Sequence, residues 1–67
     1  MMSITFHPNQ KGWVIELSSE GEKIEYFLSE TPEGVIMTTT EKEKAGVVQM
    51  PVAMRIATAW NEQKSKS

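Results

Sequence analysis

The chain has 67 residues, no cysteine and a formal net charge of −2, from nine acidic and seven basic residues. A chain of this length forms one domain with a small core, and without cysteine neither a disulfide nor a zinc–thiolate site can stabilise it. All nine acidic residues are glutamate and Arg55 is the only arginine, so the composition argues against strong duplex binding, which relies on arginine and clustered cations.

Hydropathy along the chain predicts neither a membrane span nor a signal peptide. No run approaches the roughly 20 apolar residues of a span, and the N-terminus lacks a basic region followed by an apolar one. The absence of cysteine fits a reducing compartment. We therefore expect a cytoplasmic protein with a single small domain over residues 1–62 and a disordered polar tail over residues 63–67.

Four segments with alternating apolar and polar residues predict half-buried antiparallel strands. Their apolar members are Met2, Ile4 and Phe6; Trp13, Ile15 and Leu17; Ile24, Tyr26 and Leu28; and Val35 and Met37. Turns of four residues separate them, at 8–11, 19–22 and 30–33. If each turn is closed by its flanking residues, Phe6 faces Trp13, Leu17 faces Ile24, and Tyr26 faces Met37. Every apolar residue then meets an apolar neighbour across the strands.

The second half of the chain predicts a short strand and a helix. Residues 46–50 are short and β-branched, which indicates a fifth strand, and Pro51 suits the first position of a helix. One face of that helix is apolar and comprises Val52, Ala53, Ile56, Ala57, Ala59 and Trp60. Met54 lies on its polar side and should be exposed. The predicted fold is α+β, an antiparallel meander of four to five strands with one C-terminal helix packed on one face.

The predicted register also creates a second, smaller apolar row. It places Val14, Phe27 and Ile36 side by side across three strands, on the face that the helix does not cover. Aligned apolar residues on a small protein often mark an association surface, so these three and Met54 are the candidate partner-binding residues. Alternatively, the N-terminal methionines, the loop at 42–45 or the tail covers the row, or the residues are ordinary surface apolar groups.

The residues that could carry chemistry do not form a catalytic or metal site. His7 is the only histidine, and without cysteine or aspartate it cannot complete a metal site or a nucleophilic triad. Glu16 faces Glu25 in the predicted register, which we interpret as two exposed glutamates and not as an acid–base pair. We therefore predict no enzymatic activity, no cofactor, no metal and no small-molecule substrate.

Two resemblances concern the layout of the chain. The stretch from Lys44 to Pro51, followed by Ile56-Ala57 and Trp60-Asn61, is similar in rhythm to small phage and prophage open reading frames. That resemblance implies a meander with one helix, in a protein that binds a host protein. The element order is also similar to single-stranded-DNA-binding domains of the positive-cofactor-four and Whirly type, which dimerise and bind through basic, aromatic-bearing strands.

Together these observations predict a non-enzymatic protein-interaction module. We expect a homodimer that acts as a small accessory or inhibitory protein of a phage or mobile element and binds a host protein through the apolar row or an exposed sheet edge. The alternative is a weak single-stranded nucleic-acid-binding domain that uses the dispersed cations Lys11, Lys23, Lys42, Lys44 and Arg55. The glutamates at positions 16, 22, 25 and 30 argue against that alternative.

Overall fold

A computed structural model describes residues 3–18 and 23–65 of the protein. Its elements are strands β1 (Ser3–Asn9), β2 (Gly12–Ser18), β3 (Glu25–Glu30) and β4 (Ile36–Thr39), a short 3-10 turn (Lys42–Lys44) and helix α1 (Met50–Ser65). The strands form one antiparallel sheet in the order β1-β2-β3-β4, and α1 packs on one face. The predicted α+β meander with a C-terminal helix is therefore confirmed.

The hairpin of β1 and β2 keeps its predicted faces but not its predicted pairs. Asn9 pairs with Gly12, so the loop has two residues and not four, and Phe6 lies opposite Ile15. The side chain of Asn9 accepts a hydrogen bond from the backbone N–H of Lys11 at 3.0 Å, which closes this tighter turn. The pairing is shifted by two residues, so every side chain of the hairpin stays on its predicted face of the sheet. Met2 lies outside the described residues.

The pairing of β3 with β2 is shifted by one residue from the predicted register, so each side chain of β3 lies on the opposite face of the sheet from the one predicted. Glu16 pairs with Tyr26 and Leu17 pairs with Glu25, where the predicted register had Leu17 opposite Ile24. A one-residue shift exchanges the two faces of a strand, so Phe27 enters the core while Leu28 faces away from it. The predicted turn at 19–22 lies outside the described residues.

Strand β4 is inverted as well, and a bulge at Leu28 lies between its two stretches of pairing with β3. Phe27 pairs with Thr38 and Glu30 pairs with Ile36, where Tyr26 opposite Met37 was predicted. The turn before β4 has Pro32 at its second position and Gly34 at its fourth, which type I turns favour, and the N–H of Gly34 donates to the carbonyl oxygen of Thr31 at 2.9 Å.

The predicted fifth strand is reduced to a single bridge. Val48 exchanges two backbone hydrogen bonds with Trp13, of 2.8 and 3.0 Å, and the N–H of Gly46 donates to the carbonyl oxygen of Phe27 at 2.8 Å. Residues 46–48 therefore lie between the start of β2 and the second half of β3. A Cβ on Gly46 would lie 2.6 Å from the carbonyl oxygen of Leu28, so this close approach requires glycine.

Helix α1 closes the core over one face of the sheet. The buried cluster comprises Ile15, Leu17, Phe27, Ile36, Ala53, Ile56 and Trp60. Pro51 lies in the first turn, where backbone N–H groups have no partner within the helix. Val52, predicted on the buried face, is exposed. The helix continues to Ser65, so residues 63–65 are helical and not part of a disordered tail; residues 66–67 lie outside the described part.

Candidate protein-binding surface

The three residues predicted as an exposed row are buried. Val14, Phe27 and Ile36 are only 5%, 5% and 3% exposed to solvent, and the last two belong to the core cluster. The inversion of β3 and β4 explains this correction, because it turns Phe27 and Ile36 towards α1. Val14 remains on the opposite side of β2 from Ile15 and is buried there. The fourth candidate, Met54, is 60% exposed on α1, as expected.

The same inversion brings four other apolar side chains to the surface, and we call them the outer patch. Its members are between 40% and 50% exposed to solvent: Ile24, Leu28, Val35 and Met37. Met37 alternates with the buried Ile36 along β4, and Leu28 follows the buried Phe27 in β3, so these two side chains face away from α1, while Ile24 and Val35 lie in the segments that lead into β3 and β4. All four residues were predicted to be in the core, and that prediction is wrong.

The outer patch represents a substantial amount of unburied apolar surface for a small protein. Fully burying a side chain of this size is worth about 1.5–3 kcal/mol, so covering the remaining half is worth roughly 1 kcal/mol for each residue. None of the four side chains is charged, and the neighbouring Tyr26, Ser29 and Thr39 carry hydroxyl groups. A partner could therefore cover the patch without burying an unpaired charge.

The polar groups on the other half of this face satisfy each other. The Nε2 of His7 donates to the Oε1 of Glu16 at 2.7 Å, and both side chains are half-buried. Glu16 pairs with Tyr26 and Glu25 with Leu17, so the two glutamates point to opposite sides and their predicted facing arrangement is wrong. Within residues 3–18 and 23–65, no three metal-ligating side chains lie close enough to hold an ion.

An ion pair fixes α1 to the end of β3. The guanidinium of Arg55 donates two hydrogen bonds to the carboxylate of Glu30, of 2.9 and 3.2 Å. The hydrogen bonds from Arg55, aided by its charge, lower the pKa of Glu30, while partial desolvation opposes them. This pair lies on the α1 side of the sheet, so it attaches α1 to β3 and is not part of the outer patch.

A shallow depression lies beside α1. It has a volume of about 190 Å³ and is lined by Gly34, Ala59, Glu62 and Gln63. Small-molecule sites usually occupy about 300–1,000 Å³ and enclose most of the ligand. The depression is smaller than such a site, and its lining shares no residue with the outer patch.

Sequence reasoning missed the outer patch because both sides of β3 are apolar. Tyr26 and Leu28 lie on one side of this strand and Phe27 on the other, so alternation alone supports either orientation.

Among the described residues, no helix has both the length and the apolar character needed to cross a membrane. Comparison of the chain with protein-family models, with curated proteins and with solved structures finds no match.

Proposed function

We propose that this protein is a non-enzymatic interaction module that binds another protein through the outer patch. The observation that carries the proposal is the exposure of Leu28 and Met37 on the side of the sheet away from α1, together with the exposure of Ile24 and Val35 in the segments that lead into β3 and β4. Scattered apolar residues are ordinary on a protein surface, but adjacent ones on neighbouring strands are typical of binding sites.

The proposed partner is a host protein with an apolar contact surface of its own. The resemblance in layout to small phage and prophage proteins supports a small accessory or inhibitory protein of a mobile element, acting in the cytoplasm. The uncharged composition of the outer patch supports a contact driven by apolar burial, in which charged residues contribute only at the rim. Aromatic and methionine side chains are common anchors in such contacts, and Met37 can adapt to an irregular surface.

Binding of single-stranded nucleic acid has less support. Two of the five cations available for it already pair with carboxylates: Lys44 with Glu41 at 2.9 Å and Arg55 with Glu30 at 2.9 Å. A nucleic-acid groove also needs several aromatic platforms beside its cations, and Tyr26 is the only aromatic residue on the outer side among the described β3–β4 pairs.

A matched pair of variants tests the proposed function. The double variant Leu28→Glu/Met37→Glu places two charges in the outer patch, whereas Met54→Glu places one on an exposed apolar residue of α1. Tagged forms of each, expressed in the native host, would be purified and their bound proteins quantified by mass spectrometry. We expect a specific partner with the wild type and Met54→Glu, and at least a tenfold loss with the double variant.

The comparison requires folded proteins, which circular dichroism and thermal melting check directly. Because both changed residues are about half exposed, we expect the double variant to retain the wild-type spectrum. Equal recovery of the partner by the folded double variant would contradict the proposal, and so would loss of the partner with Met54→Glu alone.

A further inference from the structure

Strand β1 has a free backbone edge whose outward groups can be identified from the hydrogen bonds of β2. The N–H and the C=O of Trp13 both bond to Val48, on the side of β2 away from β1. Backbone groups of successive residues in a strand point to alternate sides, so Val14 and Glu16 point towards β1 and bond with His7 and Thr5. The N–H and C=O groups of Ile4 and Phe6 therefore point outward, and no described residue bonds to them.

The opposite edge of the sheet is protected at Ile36, whereas β1 has no such protection among the described residues. At β4 the N–H of Ile36 donates to the Oε1 of Gln63 at 2.9 Å, and the Nε2 of Gln63 lies 3.5 Å from the carbonyl oxygen of Ile36. The side chain of Gln63 thus occupies the place of a neighbouring strand. Soluble proteins usually protect edges with charges, proline, short strands or a covering element. β1 has seven residues, none of them aspartate, glutamate, lysine or arginine, and only Pro8, near one end, opposes pairing.

We propose that two copies of this chain pair through β1, antiparallel to each other, about a twofold axis at Thr5. This proposal goes beyond binding at the outer patch and uses a separate surface. In this register, Ile4 of each copy lies opposite Phe6 of the other, and the outward groups of these residues form four backbone hydrogen bonds. Moving the axis to Phe6 would place Ile4 opposite Pro8, which lacks an N–H, so each of these two pairs would form one hydrogen bond and not two.

The side chains of β1 support a second copy as the occupant of this edge. Ile4 and Phe6 are half-buried and pack against the margin of the core, while α1 lies chiefly over β2 and β4. In the paired sheet, Ile4 and Phe6 of both copies lie on the same side and cover one another. The strand has no aspartate, glutamate, lysine or arginine that self-association would bring against its copy, and Thr5, which would lie on the axis, is exposed.

Backbone methylation tests the pairing without changing a side chain. The 67-residue chain can be synthesised with N-methyl-phenylalanine at position 6, which removes an outward N–H and leaves the hydrogen bonds between β1 and β2 intact. N-methyl-threonine at position 38 is the matched control, because Thr38 points outward from β4, as Ile36 does. Sedimentation equilibrium between roughly 10 µM and 1 mM would give the dimer dissociation constant of each form.

We expect the wild type to dimerise, the position-6 form to dissociate at least tenfold more readily, and the position-38 form to match the wild type, because the N–H groups of Phe6 donate two of the four bonds. A wild-type chain that remains at its monomer mass of 7.6 kDa throughout would overturn the proposal, even if its edge captures a foreign strand. Equal dimerisation of all three forms, or weakening only at position 38, would also overturn it.

Charge exchange at Thr5 provides a second test in case the methylated chain does not fold. Thr5→Lys and Thr5→Glu each place like charges on the twofold axis, so each should dimerise less than the wild type, and an equal mixture should form the mixed dimer seen by native mass spectrometry. Absence of the mixed dimer contradicts an axis at Thr5. The Leu28→Glu/Met37→Glu variant should remain dimeric, which separates failure at this edge from failure of the outer patch.

Discussion

The two hairpins of the sheet present different outer sides to their surroundings. On β1 and β2, the outer side carries the His7–Glu16 hydrogen bond and a buried Val14, so its polar groups are satisfied within the chain. On β3 and β4, the outer side carries Leu28 and Met37, which remain nearly half exposed. On the outer side of the sheet, the polar groups of β1 and β2 are therefore paired within the chain, whereas β3 and β4 expose apolar side chains that a partner can bury.

This difference shows how a small domain can separate stability from binding. Both hairpins supply residues to the same core, with Ile15 and Leu17 from β2 and Phe27 and Ile36 from β3 and β4. The core is formed on the α1 side, so it does not depend on the residues of the outer patch. The outer patch is thus available for contact at little cost to folding, and changes there should alter binding before they alter the fold.

Neighbouring residues of β3 provide the prediction with the largest expected effect. Phe27→Ala removes a buried aromatic ring and should cost about 3–5 kcal/mol, which approaches the whole stability of a domain of this size at about 5 kcal/mol. Leu28→Ala shortens a side chain of the outer patch and should cost less than about 1 kcal/mol. Urea unfolding followed by tryptophan fluorescence measures both free energies of unfolding.

The same pair of variants tests whether Phe27 lies on the core side of β3 and Leu28 on the outer side. Phe27→Leu is the control for chemistry, because it keeps an apolar side chain and should recover most of the loss caused by Phe27→Ala. If Leu28→Ala destabilises the protein more than Phe27→Ala does, then β3 has the opposite orientation, and the outer patch is part of the core.

The Glu30–Arg55 ion pair gives the smallest effect, and it concerns how α1 is held over β3. Because the pKa of Glu30 is lowered in the folded protein, its ionised form stabilises the fold. That contribution is complete above the ordinary pKa of glutamate, about 4.3, and disappears as the pH falls through the lower value of the folded state. Glu30→Gln should therefore lower Tm at pH 7 and have little effect near pH 2.

The matched control for this prediction is Glu33→Gln, since Glu33 has no ion pair within the described residues. Its effect on Tm should be small at both pH values. A Glu30→Gln effect that is the same at pH 7 and near pH 2 would show that loss of the charged bond to Arg55 is not its cause. Because both side chains are accessible to water, the effect should also decrease with added salt.

Prediction from the sequence succeeded where one orientation of a segment was clearly more apolar than the other. The helix follows this rule, since Ala53, Ile56 and Trp60 are buried at the spacing expected of one helical face. The β1–β2 hairpin also kept its faces despite a shorter loop, because a two-residue shift leaves alternation unchanged. These regions required only periodicity.

The orientation of β3 and β4 required information that periodicity does not contain. Phe27 on one side of β3 competes with Tyr26 and Leu28 on the other, and the bulge at Leu28 changes the pairing within the strand without a proline or glycine to mark it. The contact of Gly46 with Phe27 joins residues that are distant in sequence. For these reasons the candidate site was assigned to the wrong side of the sheet.

Cross-strand nuclear Overhauser effects test the orientation of β3 most directly. Backbone protons of directly opposed residues lie close together in an antiparallel sheet and therefore identify the pairs. The structure predicts effects between Glu16 and Tyr26 and between Tyr26 and Thr39. Effects between Ile15 and Tyr26 and between Tyr26 and Met37 would contradict it, because they would place Phe27 outside and the outer patch in the core.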